Sequence, residues 1–164
     1  MVKKVTFECE VITPMFMAGA NGRKPELRPS EFKGMMRFWW RAAKAMDNIP
    51  ELRREEAKIF GGTGEGEGKS KVAIRLKPFD LKVGNNITSE VNMKDLKGMA
   101  YILYSTFALK VKGERLIRGY IKTKSKFFIH LLIEDRYFSQ ILASFWLSIY
   151  LGGFGTSPEE AEEI

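Results

Sequence analysis

ELRPSEFKGMMRFWWRA, residues 26–42, lays two different surfaces along one predicted helix. Ser30 stands where an N-cap belongs, after a proline that keeps the preceding backbone extended, and the helix is predicted to run to about Met46. Phe32, Met35, Trp39, Ala43 and Met46 recur at intervals of three and four, which at about 3.6 residues per turn makes one apolar stripe. Lys33, Arg37, Arg41 and Lys44 line the roughly opposite side as a cationic ridge, and Trp40 falls at the border between ridge and stripe. Cations beside a flat aromatic are what single-stranded nucleic acid requires: charge for phosphates and a face for a base. The same residues also suit an ordinary solvated helix with a packed indole. The two readings differ in whether Trp40 is accessible.

At 164 residues the chain is long enough for one domain with a real core. Twelve Phe, three Trp and five Tyr supply ample material to bury, which excludes a disordered chain. The formal net charge of +7 favours a polyanionic partner, and acids gather in the closing PEEAEEI, so the rest of the chain is more basic still. The one cysteine, Cys9, cannot form an internal disulfide and sits at an alternating strand position, as a small core residue of a reducing compartment would. The start MVKKVTFECE turns to charge where the apolar run of a secretory signal would stand, so a cytoplasmic protein is expected.

Val2 to Ile12 alternates, with Val5, Phe7, Cys9 and Val11 on one face and Thr6, Glu8 and Glu10 on the other, a half-buried strand. Thr13 to Pro29 is a long connection rich in Gly, Pro and Asn, of the kind that often carries function. Pro50 opens a short second helix to Phe60 with Leu52, Ile59 and Phe60 inward. Gly61 to Gly68 is a flexible loop or hairpin tip, and Lys71 to Lys77 is a strand with a basic outer face. Residues 95–107 have helical spacing, RLIRGYI and KFFIHLLIE read as two strands, and Arg136 to Leu151 is a helix apolar enough to need cover on more than one side. That last helix is short of the roughly twenty apolar residues of a membrane span, so no membrane partner is expected. The order suits an α+β fold, a mainly antiparallel sheet with helices on one face, as in ferredoxin-like domains.

Catalytic signals are weak. His130, the only histidine, lies between Phe128 and Leu132 on an apolar strand, a setting typical of a structural histidine. No metal site and no cofactor are expected, because His130 and Cys9 stand far apart and no carboxylate spacing stands out. GGTGEGEGKS lacks the spacing of a phosphate-binding loop, and its glutamates would repel phosphate. The closing GGFGTS supplies an expected C-cap glycine, and its three glycines also suit a backbone approached closely by another chain or a phosphodiester. No RNP-type run of aromatics marks the sheet, and Glu8 and Glu10 put carboxylates on its open face, so RNA would lie along the helix and loop side.

ITPMFMAGA, ELRPSEFKGMMRFWWRAA, IFGGT, KGMAYILY, IKTKSKFFIHL and LGGFG together resemble the RAMP superfamily of CRISPR proteins, nearest to the first subunits of type III-B, or Cmr, effector complexes. The resemblance covers nearly the whole chain. It implies a ferredoxin-like RAMP domain over residues 1–155, an acidic tail over 156–164, and a non-catalytic subunit that binds guide or target RNA beside other effector subunits in antiviral defence. Carried onto this chain, the RNA-facing elements are the loop from Thr13 to Ala20 and residues Arg37 to Arg41, with Gly152, Gly153 and Gly155. With the ridge, the expected RNA-binding set is Arg28, Lys33, Arg37, Phe38, Trp40, Arg41, Lys44 and those three glycines, while Trp39 is assigned to the core. Family members are commonly about twice as long and continue from the glycines into a further strand. Here TSPEEAEEI follows instead, so the sheet is expected to lack its last strand or to borrow one. A guide-processing endoribonuclease using His130, or a Tyr and Lys pair, and a pure assembly module docking through the Arg136 to Leu151 helix are the rival readings.

Overall fold

Strands form where this sequence alternates and helices where apolar residues return every third or fourth position. A computed structural model of the chain describes residues 1–19, 24–64, 67–85, 87, 109–111, 114–116 and 118–154. The helix expected over 95–107, the middle of the glycine loop, Ala20, Gly155 and the acidic tail lie outside these residues. The chain gathers into two compact units.

The first unit is built from Met1–Glu8, Pro29–Lys77 and Phe128–Phe154. A three-stranded sheet runs in the order β1 (Val2–Glu10), β7 (Lys126–Glu134), β2 (Val72–Asp80). The central β7 is antiparallel to both neighbours: Asp135 N–H donates to Met1 O at 3.0 Å while His130 faces Thr6, and Glu134 N–H donates to Lys71 O at 3.0 Å where β2 begins. In β7 every second residue, Phe127, Ile129, Leu131 and Ile133, is buried. β2 runs three residues past the predicted Lys77 and accommodates Pro78, as an edge strand can.

Three helices complete this unit: α1 (Pro29–Lys44), α2 (Ile49–Phe60) and α3 (Phe138–Leu147). α1 begins on Pro29, one residue before the expected Ser30 cap, because proline's fixed φ is already helical and its missing N–H is not needed in the first turn. It ends at Lys44, two residues early, where Ala45 takes φ 45°. Asn48 Oδ1 then accepts from Glu51 N–H at 3.2 Å and caps α2. α1 packs on both α2 and α3, and the Phe145 ring of α3 meets that of Phe7 of β1 at 4.8 Å, tilted by 38°.

The helix predicted from Arg136 to Leu151 is observed in three parts: a 3-10 turn Asp135–Tyr137, α3, and a π turn Ser148–Gly152. The buried Ser148 hydroxyl donates to Ser144 O at 2.7 Å, and the Ser148 carbonyl accepts from Gly153 N–H five residues on, the bond that makes the turn a π turn. Among the described residues this chain covers the helix on one side. Ile141, Ser144, Phe145 and Ser148 are buried, whereas Trp146, Ile149, Tyr150 and Leu151 are exposed, Trp146 and Tyr150 stacking at 4.9 Å.

The second unit is built on Cys9–Arg28 and Pro78–Phe127. β3 (Val83–Gly84) pairs antiparallel with β6 (Tyr120–Ile121), and β4 (Leu109–Val111) with β5 (Glu114–Leu116). The strand expected over 115–121 is thus described as the separate pieces β5 and β6. Met15 exchanges two backbone hydrogen bonds with Ile121, at 3.0 and 2.8 Å, and Phe16, Ile87 and Tyr120 form the core. Gly84 is required where it stands, because a Cβ there would collide with the Tyr120 ring.

Candidate nucleic-acid interface

The buried line of α1 is Phe32, Met36 and Trp40, one step round from the predicted stripe. Trp40 is only 3% exposed: its indole N–H donates to Gln140 Oε1 of α3 at 3.1 Å, and its ring meets Phe60 of α2 edge-on at 6.3 Å. This corrects the expectation of an accessible Trp40, and it removes that ring from base stacking. Trp39, assigned to the core, is half-buried instead, and Ala43 is exposed. The accessible aromatic is Phe38, 51% exposed and held edge-on against Trp39 at 5.4 Å. Gly34, one turn earlier, leaves open space beside it, and Arg41 follows three residues on.

The ridge forms, but it is partly neutralised. Arg37 Nε and Arg41 Nη1 both donate to Glu56 Oε1 of α2 at 2.6 Å. Glu56 is 4% exposed, while the two arginine side chains remain 41% and 40% exposed. Lys44 donates to Glu55 Oε2 at 2.8 Å and lies 5.4 Å from the Trp40 ring centroid. That contact holds the Glu55 carboxyl below its ordinary range. Lys33 is half-buried, and burial, followed by repulsion from Arg37, lowers its pKa from the usual 10.5. Four cations and two carboxylates leave a net +2 on this flank. Glu56 escaped the sequence reading although a signal was present: it stands four residues after Leu52 and four before Phe60, on the inward line of α2.

Gly152 and Gly153 have packing reasons of their own. A Cβ on Gly152 would lie 2.6 Å from Trp39 Nε1, and Gly153 closes the π turn at φ +70° with open space around it. Arg28 belongs to the second unit, where its Nη1 donates to Ala18 O at 3.1 Å and its Nε lies 3.5 Å from Glu26 Oε1, so it braces the loop. In that loop Met15, Phe16 and Met17 are buried, while Thr13 and Pro14 are exposed. His130 Nδ1 lies 2.9 Å from Thr6 Oγ1 on the sheet face away from the buried side chains of β7. Among the described residues no three His, Cys, Asp or Glu side chains cluster to hold a metal ion, and no helix is long and apolar enough to cross a membrane.

An antiparallel sheet in the order β1, β7, β2, with a helical layer whose middle member carries a cationic flank, defines a ferredoxin-like α+β protein. The family model of the RAMP superfamily matches residues 8–157, and the chain belongs to that superfamily. It is 38% identical over 165 residues to the CRISPR system Cmr subunit Cmr1-2 of Pyrococcus furiosus, covering 91% of this chain and 87% of that protein. It is 30% identical over 156 residues to Cmr1-1 of the same organism, covering 91% of this chain and 43% of that one. The crystal structure of Cmr1 from Pyrococcus furiosus in its apo form superposes with a TM-score of 0.66 at 29% identity, over 94% of this chain and 45% of the other. The chain thus spans most of Cmr1-2 and less than half of the other two.

Proposed function

We propose that this chain is a non-catalytic RNA-binding subunit of a CRISPR type III-B effector complex, holding guide or target RNA along the outer flank of α1 in antiviral defence. The observation that carries the proposal is Phe38 standing exposed beside Arg41 and the open space at Gly34, with the Arg37 and Arg41 side chains each about two-fifths exposed. Phosphates meet the guanidiniums, and a base stacks on Phe38 for about 1 to 3 kcal/mol. Lys33 and Lys44 extend the positive flank, and Gly152 and Gly153 leave a bare backbone at the end of α3. The kinship with Cmr subunits supports the same reading, including contact with other effector subunits. This reading asks nothing of His130, whose Nδ1 lies 2.9 Å from Thr6 Oγ1 and whose ring stacks on Phe128 at 6.2 Å.

Binding of a fluorescein-labelled single-stranded RNA across a salt series tests this. Each phosphate contact adds roughly 0.7 to the slope of log affinity against log salt, so Arg37→Ala with Arg41→Ala should lower the slope by about 1.4. An unchanged slope takes the ridge out of RNA binding. One observation favours the assembly reading as well: the exposed run Trp146, Ile149, Tyr150 and Leu151 carries no charge. A chain that assembles with protein partners and shows no affinity for RNA would leave that reading alone standing.

A further inference from the structure

We infer that Glu56 is a positioning residue for phosphate recognition, setting Arg37 and Arg41 in a fixed fork toward a phosphodiester. The inference rests on the RNA-binding reading above. Glu56 stands buried on the inward line of α2, where Leu52, Ala57, Ile59 and Phe60 are apolar. A buried carboxylate is expensive unless it is paired and hydrogen-bonded, and apolar replacements of buried ion pairs are often neutral or stabilising. Glu56 is therefore poor value as a source of stability alone. What it does supply is geometry.

Both guanidiniums converge on the same oxygen, Arg37 through Nε and Arg41 through Nη1. Each gives one of its five N–H donors to Glu56 and keeps four, on side chains that remain about two-fifths exposed. The carboxylate itself is sealed, so RNA does not meet its charge directly. A free arginine loses rotamer freedom when it captures a phosphate. One already clamped by its inner edge has lost that freedom on folding, so binding costs less. The clamp also fixes the spacing between the two forks, which a pair of lysines cannot reproduce because an ammonium is a point charge on a flexible stem.

Charge and positioning predict opposite signs for Glu56→Gln, which settles the matter by experiment. The substitution raises the net charge of the flank by one. If Glu56 only dampens the field, RNA binds more tightly; if it positions the arginines, RNA binds more weakly. The test measures affinity for a fluorescein-labelled oligouridylate with the full chain, for Glu56→Gln in the wild-type background and in the Arg37→Ala, Arg41→Ala background, each variant first checked by thermal melting. The expected result is about tenfold weaker binding in the wild-type background and no effect once the arginines are gone. Tighter or unchanged binding in the wild-type background overturns the role of Glu56. If the two arginine substitutions themselves change nothing, the RNA-binding reading falls and takes this inference with it; if they weaken binding while Glu56→Gln does not, only the positioning role falls. Should Glu56→Gln fail to fold, Arg37→Lys with Arg41→Lys asks the same question: the salt slope should persist while affinity drops, and full affinity would contradict the fork.

Discussion

The indole N–H of Trp40 donates to Gln140 Oε1 at 3.1 Å, tying α1 to α3 through a ring that is almost fully buried. Neighbouring Phe38 is half exposed and meets the half-buried Trp39 edge-on. The two residues should therefore separate stability from binding. Trp40→Ala should cost about 3 to 5 kcal/mol of unfolding free energy in urea titration, by leaving a cavity between α1, α2 and α3. Phe38→Ala should change stability by less than about 0.5 kcal/mol while weakening RNA binding by about 1 to 3 kcal/mol. Equal stability losses at both positions would mean that Phe38 is a packing residue.

Gly152 and Gly153 should fail for different reasons. Gly152→Ala drives a methyl against the Trp39 indole, so its cost should shrink when Trp39 is truncated as well. Gly153→Ala has room for its methyl but must hold φ +70° with ψ near 180°, a conformation essentially reserved for glycine, at about 1 to 3 kcal/mol, and truncating Trp39 should not relieve it. Thermal melts of the single and paired variants decide. A cost at Gly152 that is unchanged without Trp39 would contradict the close approach.

Lys33 provides a pH test. Its ammonium is held below the usual 10.5, chiefly by burial and then by Arg37, so between its folded value and 10.5 the unfolded chain carries the extra proton. Stability from this group therefore rises with pH across that window, while its charge toward phosphate falls. Affinity for a hydrolysis-resistant 2′-O-methyl RNA at fixed ionic strength should decline toward alkaline pH more steeply in the wild type than in Lys33→Met. Parallel curves would exclude Lys33 from the contact.

Much of the fold was legible because single patterns dominated single segments. The alternation of Val5, Phe7 and Cys9 in β1, the nine residues of β7, and the inward Leu52, Ile59 and Phe60 of α2 admit one arrangement each, and the structure has them so. α1 was harder. Its doublets, Met35 with Met36 and Trp39 with Trp40, offer two apolar stripes of equal spacing, and only contacts from distant segments, Gln140 and Phe60, choose between them. Glu56 was missed because a glutamate in a charged helix is usually solvated; its burial depends on two arginines across the α1 and α2 seam. The need for glycine at 152 likewise arises from Trp39, which no local pattern links to it.

The central claim is that single-stranded RNA lies on the outer flank of α1 with a base against Phe38. Photocrosslinking of a 4-thiouridine RNA to the full chain, read by mass spectrometry, tests it most directly. The account predicts crosslinked peptides from α1 with Phe38 as a principal site, lost on Phe38→Ala and reduced by Arg37→Ala with Arg41→Ala. Crosslinks confined to other segments, unaffected by those substitutions, would contradict it.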